Sequence, residues 1–292
     1  MLPRVPGMTK HRDPLLTIVV AGVAALALTA CGGDKTVSGP EPAGPASASA
    51  ADPKAALAAA PSGLAAGDYA FTSDTPAAHT EGVVHLPSRS STITSRNRDD
   101  NGSSQLRTVG ADHWLRLAVD PADIDRELAD IEAGGAQMKP VADGLRHAKV
   151  LFDGKTWMHT DLSRIKDDRL GPDLSDPDVT GVTKLFAAVL TAGGDARQIT
   201  GTVDLSRAGN TIGYPAREVT IMGNAARSVP FTARLDDKGR LTHLELAIPA
   251  TETFPAGTWA IDVTGYSAQQ PVAKPTGVIK EMPADVYALL NS

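Results

Sequence analysis

The chain contains a single cysteine, Cys31, so no disulfide can form within its 292 residues. A fold without such a crosslink depends on its hydrophobic core alone. That core must draw mainly on aliphatic residues, because aromatic residues make up only 4% of the sequence. The position of the cysteine adds a second constraint, since it closely follows a long apolar segment.

The residues before Cys31 have the features of a lipoprotein signal peptide. Residues 15–28 form an apolar run of about 14 residues, shorter than the ~20 that a membrane-spanning helix needs. Three basic residues precede this run, namely Arg4, Lys10 and Arg12. Residues 28–31, Leu-Thr-Ala-Cys, match a lipobox. We therefore predict a signal peptide over residues 1–30 and a diacylglyceryl group on Cys31; the alternatives are a buried free thiol and an ordinary secretory signal.

This assignment predicts where the protein resides and how it is divided. An acylated Cys31 would anchor the chain to the outer, extracytoplasmic face of the cell membrane, because each buried CH₂ contributes about 0.8 kcal/mol. Residues 31–66 are rich in Ala, Pro, Ser and Gly, which predicts a flexible tether. Residues 67–292 are expected to form a single domain and a monomer. The net charge of -6 and the lack of a basic run argue against a nucleic-acid partner.

Alternating apolar residues predict an antiparallel sheet. The pattern is clearest in the last third, where three consecutive strands are expected between residues 229 and 264, with a bulge near His243. Earlier strands are expected between residues 69 and 119, with a hairpin turn at residues 97–103. A further hairpin is expected around Asp153-Gly154.

Four segments have helical signals. Asp120 and Pro121 suit the start of a helix that ends at Gly134. A second helix is predicted over residues 178–190, and short helices over 215–222 and 283–290. Strands outnumber helices, so we predict an α+β fold in which a curved antiparallel sheet, a half-barrel, wraps over helices.

The closing strands of the chain resemble those of the actinobacterial LprG/LppX-type lipoproteins. The resemblance rests on residues 229–236, 236–241 and 259–266, and on Gly201-Thr202-Val203-Asp204. The order of elements, the lipobox and the tether agree with it, whereas the Asp-rich segment 167–178 and the Pro-rich tail after Tyr266 depart from it. The resemblance implies a LolA/LolB-like half-barrel that binds acylated lipids in its hollow and moves them outward.

We infer a candidate ligand site from this implied hollow. Apolar residues on one face of the strands and of the second helix would line it, although each could equally belong to an ordinary core. The candidates are Phe186, Val189, Val203, Leu205, Phe231, Ala233, Leu235, Leu246, Trp259, Ile261 and Val263.

Catalytic and metal-binding patterns are weak in this sequence. His79 and His85 are expected on one face of a strand, where exposed surface histidines are favoured over a metal pair. Residues 209–213 mimic a nucleophile elbow but carry Thr in place of Ser and lack the strand-to-helix step. Asp167, Asp168, Asp173, Asp176 and Asp178 match no calcium loop and favour turn and cap chemistry. We therefore expect no catalytic residue, no metal and no cofactor.

Two functions of different class follow from the sequence. The first is a non-catalytic lipoprotein that binds, and carries, a lipid or other hydrophobic ligand. The alternative is an envelope interaction or sensor lipoprotein that binds a protein partner without a ligand cavity. A hydrolase is disfavoured because no nucleophile, base and orienting group can be assembled from the motifs.

Overall fold

A computed structural model describes residues 52–99, 102–165, 174–214, 216–250 and 256–291. Within these ranges the chain forms seven α-helices and twelve β-strands. The helices are α1 (Pro53–Ala59), α2 (Ser62–Ala65), α3 (Pro121–Ala133), α4 (Lys139–Leu151), α5 (Val182–Ala187), α6 (Ala216–Met222) and α7 (Ala284–Leu290). The strands are β1 (Asp68–Asp74), β2 (Ala78–His85), β3 (Ser90–Asn97), β4 (Ser103–Val109), β5 (Asp112–Ala118), β6 (Trp157–His159), β7 (Val189–Gly194), β8 (Gln198–Val203), β9 (Val229–Leu235), β10 (Leu241–Ile248), β11 (Gly257–Thr264) and β12 (Ile279–Glu281). None of the described helices combines the length and the apolar character that crossing a membrane requires.

The twelve strands form one open sheet in the order β12-β6-β5-β4-β3-β2-β1-β11-β10-β9-β8-β7. Neighbouring strands are antiparallel except for β12 and β6, which are parallel. Both α-helices and strands are abundant, and the long antiparallel part matches the predicted α+β class. The three predicted strands of the last third are β9, β10 and β11.

Strand pairing fixes two faces of the sheet. Phe71 pairs with Gly82 of β2 and with Val263 of β11, and Gly82 pairs with Ile93 of β3. Side chains on a strand alternate between faces, so these residues share one face. The helices pack on this face, since Leu185 of α5 belongs to the same core cluster as Phe71. We call it the inner face and the opposite one the outer face.

Two core clusters lie on the inner face at different parts of the sheet. The first joins β1–β3 and β7–β11 with α1, α2, α5 and α6, and it contains Trp259, Tyr69 and Leu57. The second joins β5 and β6 with α4 and α7. Leu106 of β4 is buried but lies outside both clusters, as do Ile124 and Leu145 of the α3–α4 hairpin.

Residues 267–281, here called the tail segment, cross the outer face from β1 to β6. Gln269 donates its backbone N–H to the Asp68 carboxylate (3.0 Å), and Val272 donates to the Ser90 Oγ (2.9 Å). Lys274 bonds Asp112 at 2.7 Å. The segment ends as β12, and the chain then returns to the inner face as α7, which enters the second cluster.

The structure corrects three local predictions. Residues 53–65, assigned to the tether, form α1 and α2, because Leu57 and Leu64 are buried in the first cluster. Residues 31–51 lie outside the described residues. The hairpin expected around Asp153-Gly154 lacks its first strand, because residues 149–151 form the end of helix α4. The helix expected over residues 178–190 is shortened to α5, and Val189 already begins β7.

Other local predictions are confirmed. The Asp120 carboxylate accepts a hydrogen bond from the Ala122 N–H (2.8 Å) at the start of α3, and Gly134 ends that helix. The register between β9 and β10 shifts between Leu241 and His243, where the bulge was expected. The short helices predicted over 215–222 and 283–290 are α6 and α7.

Tyr69 and Asp178 hold the segment before α5 against the sheet. The Tyr69 hydroxyl donates to the Pro177 carbonyl (2.7 Å) and accepts from the Val179 N–H (3.2 Å). The Asp178 carboxylate accepts from the backbone N–H groups of residues 180, 181 and 183. Buried backbone donors and acceptors need such partners, so these two side chains stabilise the connection between sheet and helix.

We expect Tyr69→Phe to lower the free energy of unfolding by roughly 1–3 kcal/mol, because it removes the partner of the buried Val179 N–H and of the half-buried Pro177 carbonyl. Urea titration followed by circular dichroism measures the loss. Tyr266→Phe is the matched control, since the Tyr266 hydroxyl donates to a single backbone group, the Leu241 carbonyl, at 2.7 Å. A smaller loss in Tyr69→Phe than in Tyr266→Phe would contradict this role.

Alkaline pH should destabilise the folded protein because Tyr69 and Tyr266 are buried. Burial, followed by the nearby Asp178 carboxylate, raises the pKa of Tyr69, and burial raises the pKa of Tyr266. Both phenols stay neutral in the folded state, whereas the unfolded chain loses these protons near about pH 10. The unfolded state then binds fewer protons, so the free energy of unfolding falls as pH rises beyond that value.

The measurement follows tyrosinate absorbance and circular dichroism together between about pH 9 and pH 12. We expect ionisation of Tyr69 and Tyr266 to coincide with unfolding. Full ionisation of all four tyrosines while the fold persists would contradict the prediction.

Candidate functional site

The eleven candidate ligand residues all belong to the first core cluster. Each is at most 8% exposed, and Ala233, Leu246, Trp259 and Ile261 are fully buried. Ten of them lie on or beside β7–β11, and Phe186 belongs to α5. The structure therefore brings the whole predicted set together as one packed group.

Trp259 shows how closely this group is packed. Its Nε1 donates to the Ser73 Oγ (3.0 Å), and its ring meets Tyr214 edge-on with centroids 5.3 Å apart. Gly213 lies against the ring, where an added Cβ would come within 2.2 Å of Nε1. This end of the inner face thus has the density of an ordinary core.

The inner face becomes less apolar on β3 and β4. A row of apolar side chains crosses it, with Ile93 paired to Leu106 and Leu106 paired to Leu115. On these two strands, hydroxyl side chains lie on both sides of the row. They are Ser91, Ser95, Ser104 and Thr108, whereas β2 contributes Thr80 on one side and the buried, apolar Val84 on the other. The result is an apolar strip, one side chain wide on β3 and β4, that runs from the first cluster to the second between hydroxyl side chains; we call it the inner strip.

The hydroxyls beside the inner strip differ in their pairing. Thr80 donates to Ser95 at 3.0 Å, and Thr108 bonds the Nδ1 of His113 at 3.1 Å. The Ser91 Oγ is buried, and no residue that the structure describes pairs with it. A buried hydroxyl without a partner is costly, so Ser91 is a point where a ligand oxygen would be stabilised.

The residues with possible catalytic or metal-binding roles have local partners. His79 and His85 share the outer face as predicted, but His79 bonds Asp74 (2.9 Å) and His85 bonds Ser88 (2.6 Å). Among the described residues no group of three ligating side chains could hold a metal ion. Thr211 occupies the nucleophile position of the elbow-like motif. Its hydroxyl donates to the Tyr214 carbonyl (2.8 Å) and so stabilises a turn.

The Asp-rich segment is described only in part. Asp167, Asp168 and Asp173 lie outside the described residues. Asp176 accepts a hydrogen bond from the Asp178 N–H (3.1 Å), and Asp178 caps the segment before α5. The turn and cap chemistry predicted for these residues is confirmed for this pair.

The sequence analysis missed a polar groove on the outer face. Its volume is about 230 Å³, and it is lined by Glu81, Thr94, Arg96, Ser103, Gln105, Arg116, Ala118 and Gly154. A period of two places Gln105, Arg107 and Arg116 on one face, which was the available signal in the sequence. The order of the strands, which brings Glu81 and Arg96 beside them, could not be read from the sequence.

Comparisons with known proteins assign no family to this chain. No protein-family model, curated protein or solved structure matches this chain.

A substitution distinguishes a dense core from a ligand cavity at the predicted residues. We expect Leu246→Ala to lower the free energy of unfolding by about 2–5 kcal/mol, because Leu246 is fully buried among Trp259 and Phe231. Leu190→Ala is the control, since Leu190 is 43% exposed on the edge strand β7. Equal effects of the two substitutions, measured by urea unfolding, would rule out dense packing around Leu246.

Proposed function

We propose that this protein is a membrane-anchored extracytoplasmic lipoprotein that binds and carries a lipid or other hydrophobic ligand without catalysis. In this proposal the sheet curves as a half-barrel around the helices on its inner face. The ligand's acyl chain lies along the inner strip, while Cys31 carries the anchor.

Sequence features support the anchored part of this proposal. The apolar run, the basic residues before it and the lipobox ending at Cys31 together match a lipoprotein signal, although these residues lie outside the described ranges. The segments that resemble LprG/LppX-type lipoproteins fall on β9, on β11 and at the end of β8, and these strands lie within one part of the sheet, with β10 between β9 and β11.

The proposal that the protein binds a ligand rests on the narrowing of the apolar core along the inner strip. A solid interior would continue with large apolar side chains across β3 and β4, but there the inner strip narrows to Ile93 and Leu106 between hydroxyl side chains. An acyl chain needs a narrow apolar track, and the ester oxygens beside it need donors. The unpaired Ser91 Oγ lies next to this track and supplies such a donor.

The ligand is tested on the full chain carrying Cys31→Ser, which has no acyl group of its own at that position. Native mass spectrometry should find a co-purified acyl species, and a fluorescent diacylglycerol should bind. We expect Ser95→Phe to weaken that binding by roughly tenfold or more, because the new ring fills space beside the inner strip.

Thr94→Phe is the matched control for this experiment. Thr94 is the next residue of β3 and faces the outer side of the sheet, so the same added ring should leave diacylglycerol binding unchanged. If no acyl species co-purifies and the diacylglycerol does not bind, the ligand proposal is wrong.

The edge strand β12 favours a second function, in which the protein binds a partner. Val278 and Ile279 are 54% and 46% exposed beside the outer edge of β12, with which no described strand pairs, and such an edge can be extended by another chain. The test is whether the acylated chain captures an envelope protein. Capture that is lost in Ile279→Lys, together with a failure of the protein to bind an acyl ligand, would favour this function over the first.

A further inference from the structure

The groove on the outer face follows one row of paired residues across four strands. Glu81 of β2 pairs with Thr94 of β3, Thr94 pairs with Gln105 of β4, and Gln105 pairs with Arg116 of β5. Side chains in register on antiparallel strands lie close together, so the row presents a carboxylate, a hydroxyl, an amide and a guanidinium side by side.

The charges in the groove are unevenly paired. Glu81 and Arg96 form an ion pair of 2.9 Å and offset one another. Arg116 donates to the Gln105 side-chain oxygen, and no described carboxylate forms an ion pair with it. One positive charge in the groove is therefore left without a counter-charge from the described residues.

A second arginine adds to this positive charge. The guanidinium carbons of Arg107 and Arg116 lie 5.0 and 4.6 Å from the centroid of the same ring, that of Trp157. The Nη1 of Arg107 donates a hydrogen bond to the Ala273 carbonyl of the tail segment (3.3 Å). Its Nε is buried and has no partner in the described part of the chain.

The two guanidinium groups repel each other, and their contacts with the Trp157 ring offset only part of this repulsion. Burial, and after it the charge of Arg116, lowers the pKa of Arg107. An arginine keeps its charge under such conditions, so the repulsion remains. A bound anion would relieve it, and guanidinium groups bind phosphate oxygens through paired N–H donors.

We propose that the outer groove binds the phosphate of a small phosphorylated sugar or polyol. Arg116 bonds the phosphate, and Arg107 strengthens the local positive potential through its position over the same ring. Gln105 and Thr94 bond the hydroxyls of the ligand, and Glu81 accepts from one of them. The volume of about 230 Å³ is below the ~300 Å³ at which drug-sized sites begin, which limits the ligand to about one sugar ring.

This site is independent of the lipid-carrying function, because it lies on the opposite face of the sheet from the inner strip. The same phosphate chemistry can come from a free sugar phosphate or from the phosphate monoester headgroup of a membrane lipid. The experiment below separates these two sources.

Calorimetric titration of the full chain carrying Cys31→Ser uses glucose 6-phosphate, inorganic phosphate and glucose as probes. We expect glucose 6-phosphate to bind more tightly than phosphate and glucose not to bind measurably. Arg116→Gln should weaken binding roughly tenfold or more, because a charged hydrogen bond is lost. Higher salt should also weaken it.

Two controls keep the result interpretable. Arg126→Gln removes the same charge from α3, where Arg126 is 69% exposed, and should leave binding unchanged. Thr94→Glu adds a negative charge to the groove and should abolish binding, whereas Thr94→Gln, which has the same size as Thr94→Glu but no charge, should weaken binding much less. Thermal unfolding confirms that each variant is folded before titration.

Vesicles containing phosphatidic acid, compared with phosphatidylcholine vesicles, test the membrane source. Binding to phosphatidic acid that Arg116→Gln removes supports the site with a lipid headgroup as its ligand. Binding of glucose 6-phosphate that Arg116→Gln removes supports the site with a free ligand. If neither probe binds, or if binding is unchanged in both Arg116→Gln and Thr94→Glu, the site does not exist.

Discussion

The continuous pairing of strands from β6 to β7 is the constraint on which the rest of this structure depends. Pairing fixes register, and register decides which residues face the helices and which face outward. A shift of one residue in β3 would turn Ile93 outward and bring Thr94 inward. The two core clusters, the inner strip and the outer groove are all consequences of that one register.

The sequence predicted the elements whose signals are local. The start of α3 followed from Asp120 and Pro121, and the bulge of β10 followed from the changed spacing of Leu241 and Leu244. Helix α4 was missed because its apolar face is spread over Ala142, Leu145 and Ala148, with polar residues between. Helix α1 was missed because its Ala-rich sequence becomes helical only when Leu57 packs on a core built from distant strands.

The sites required information that a single sequence does not carry. Alternation identified the apolar residues of the last third, from Phe231 to Val263, and all are buried in the first cluster. Whether an apolar face is a core or a cavity depends on what packs against it, and that depends on the path of the whole chain. The outer groove was even harder to predict from the sequence. Its central row runs from Glu81 to Arg116 and takes one residue from each of four strands, so it exists only once those strands have paired.

The parallel pairing of β12 with β6 joins residues that are more than a hundred positions apart in the chain. Helix α7 follows directly and supplies Val286 and Tyr287 to the second cluster. Leu115, Met158 and the residues of α4 can assemble earlier, but the second cluster is complete only when the last described helix has been synthesised. Until then, the apolar side chains that Val286 and Tyr287 cover remain exposed to solvent, so the folding of this half of the sheet is tied to the completion of the chain's last described element.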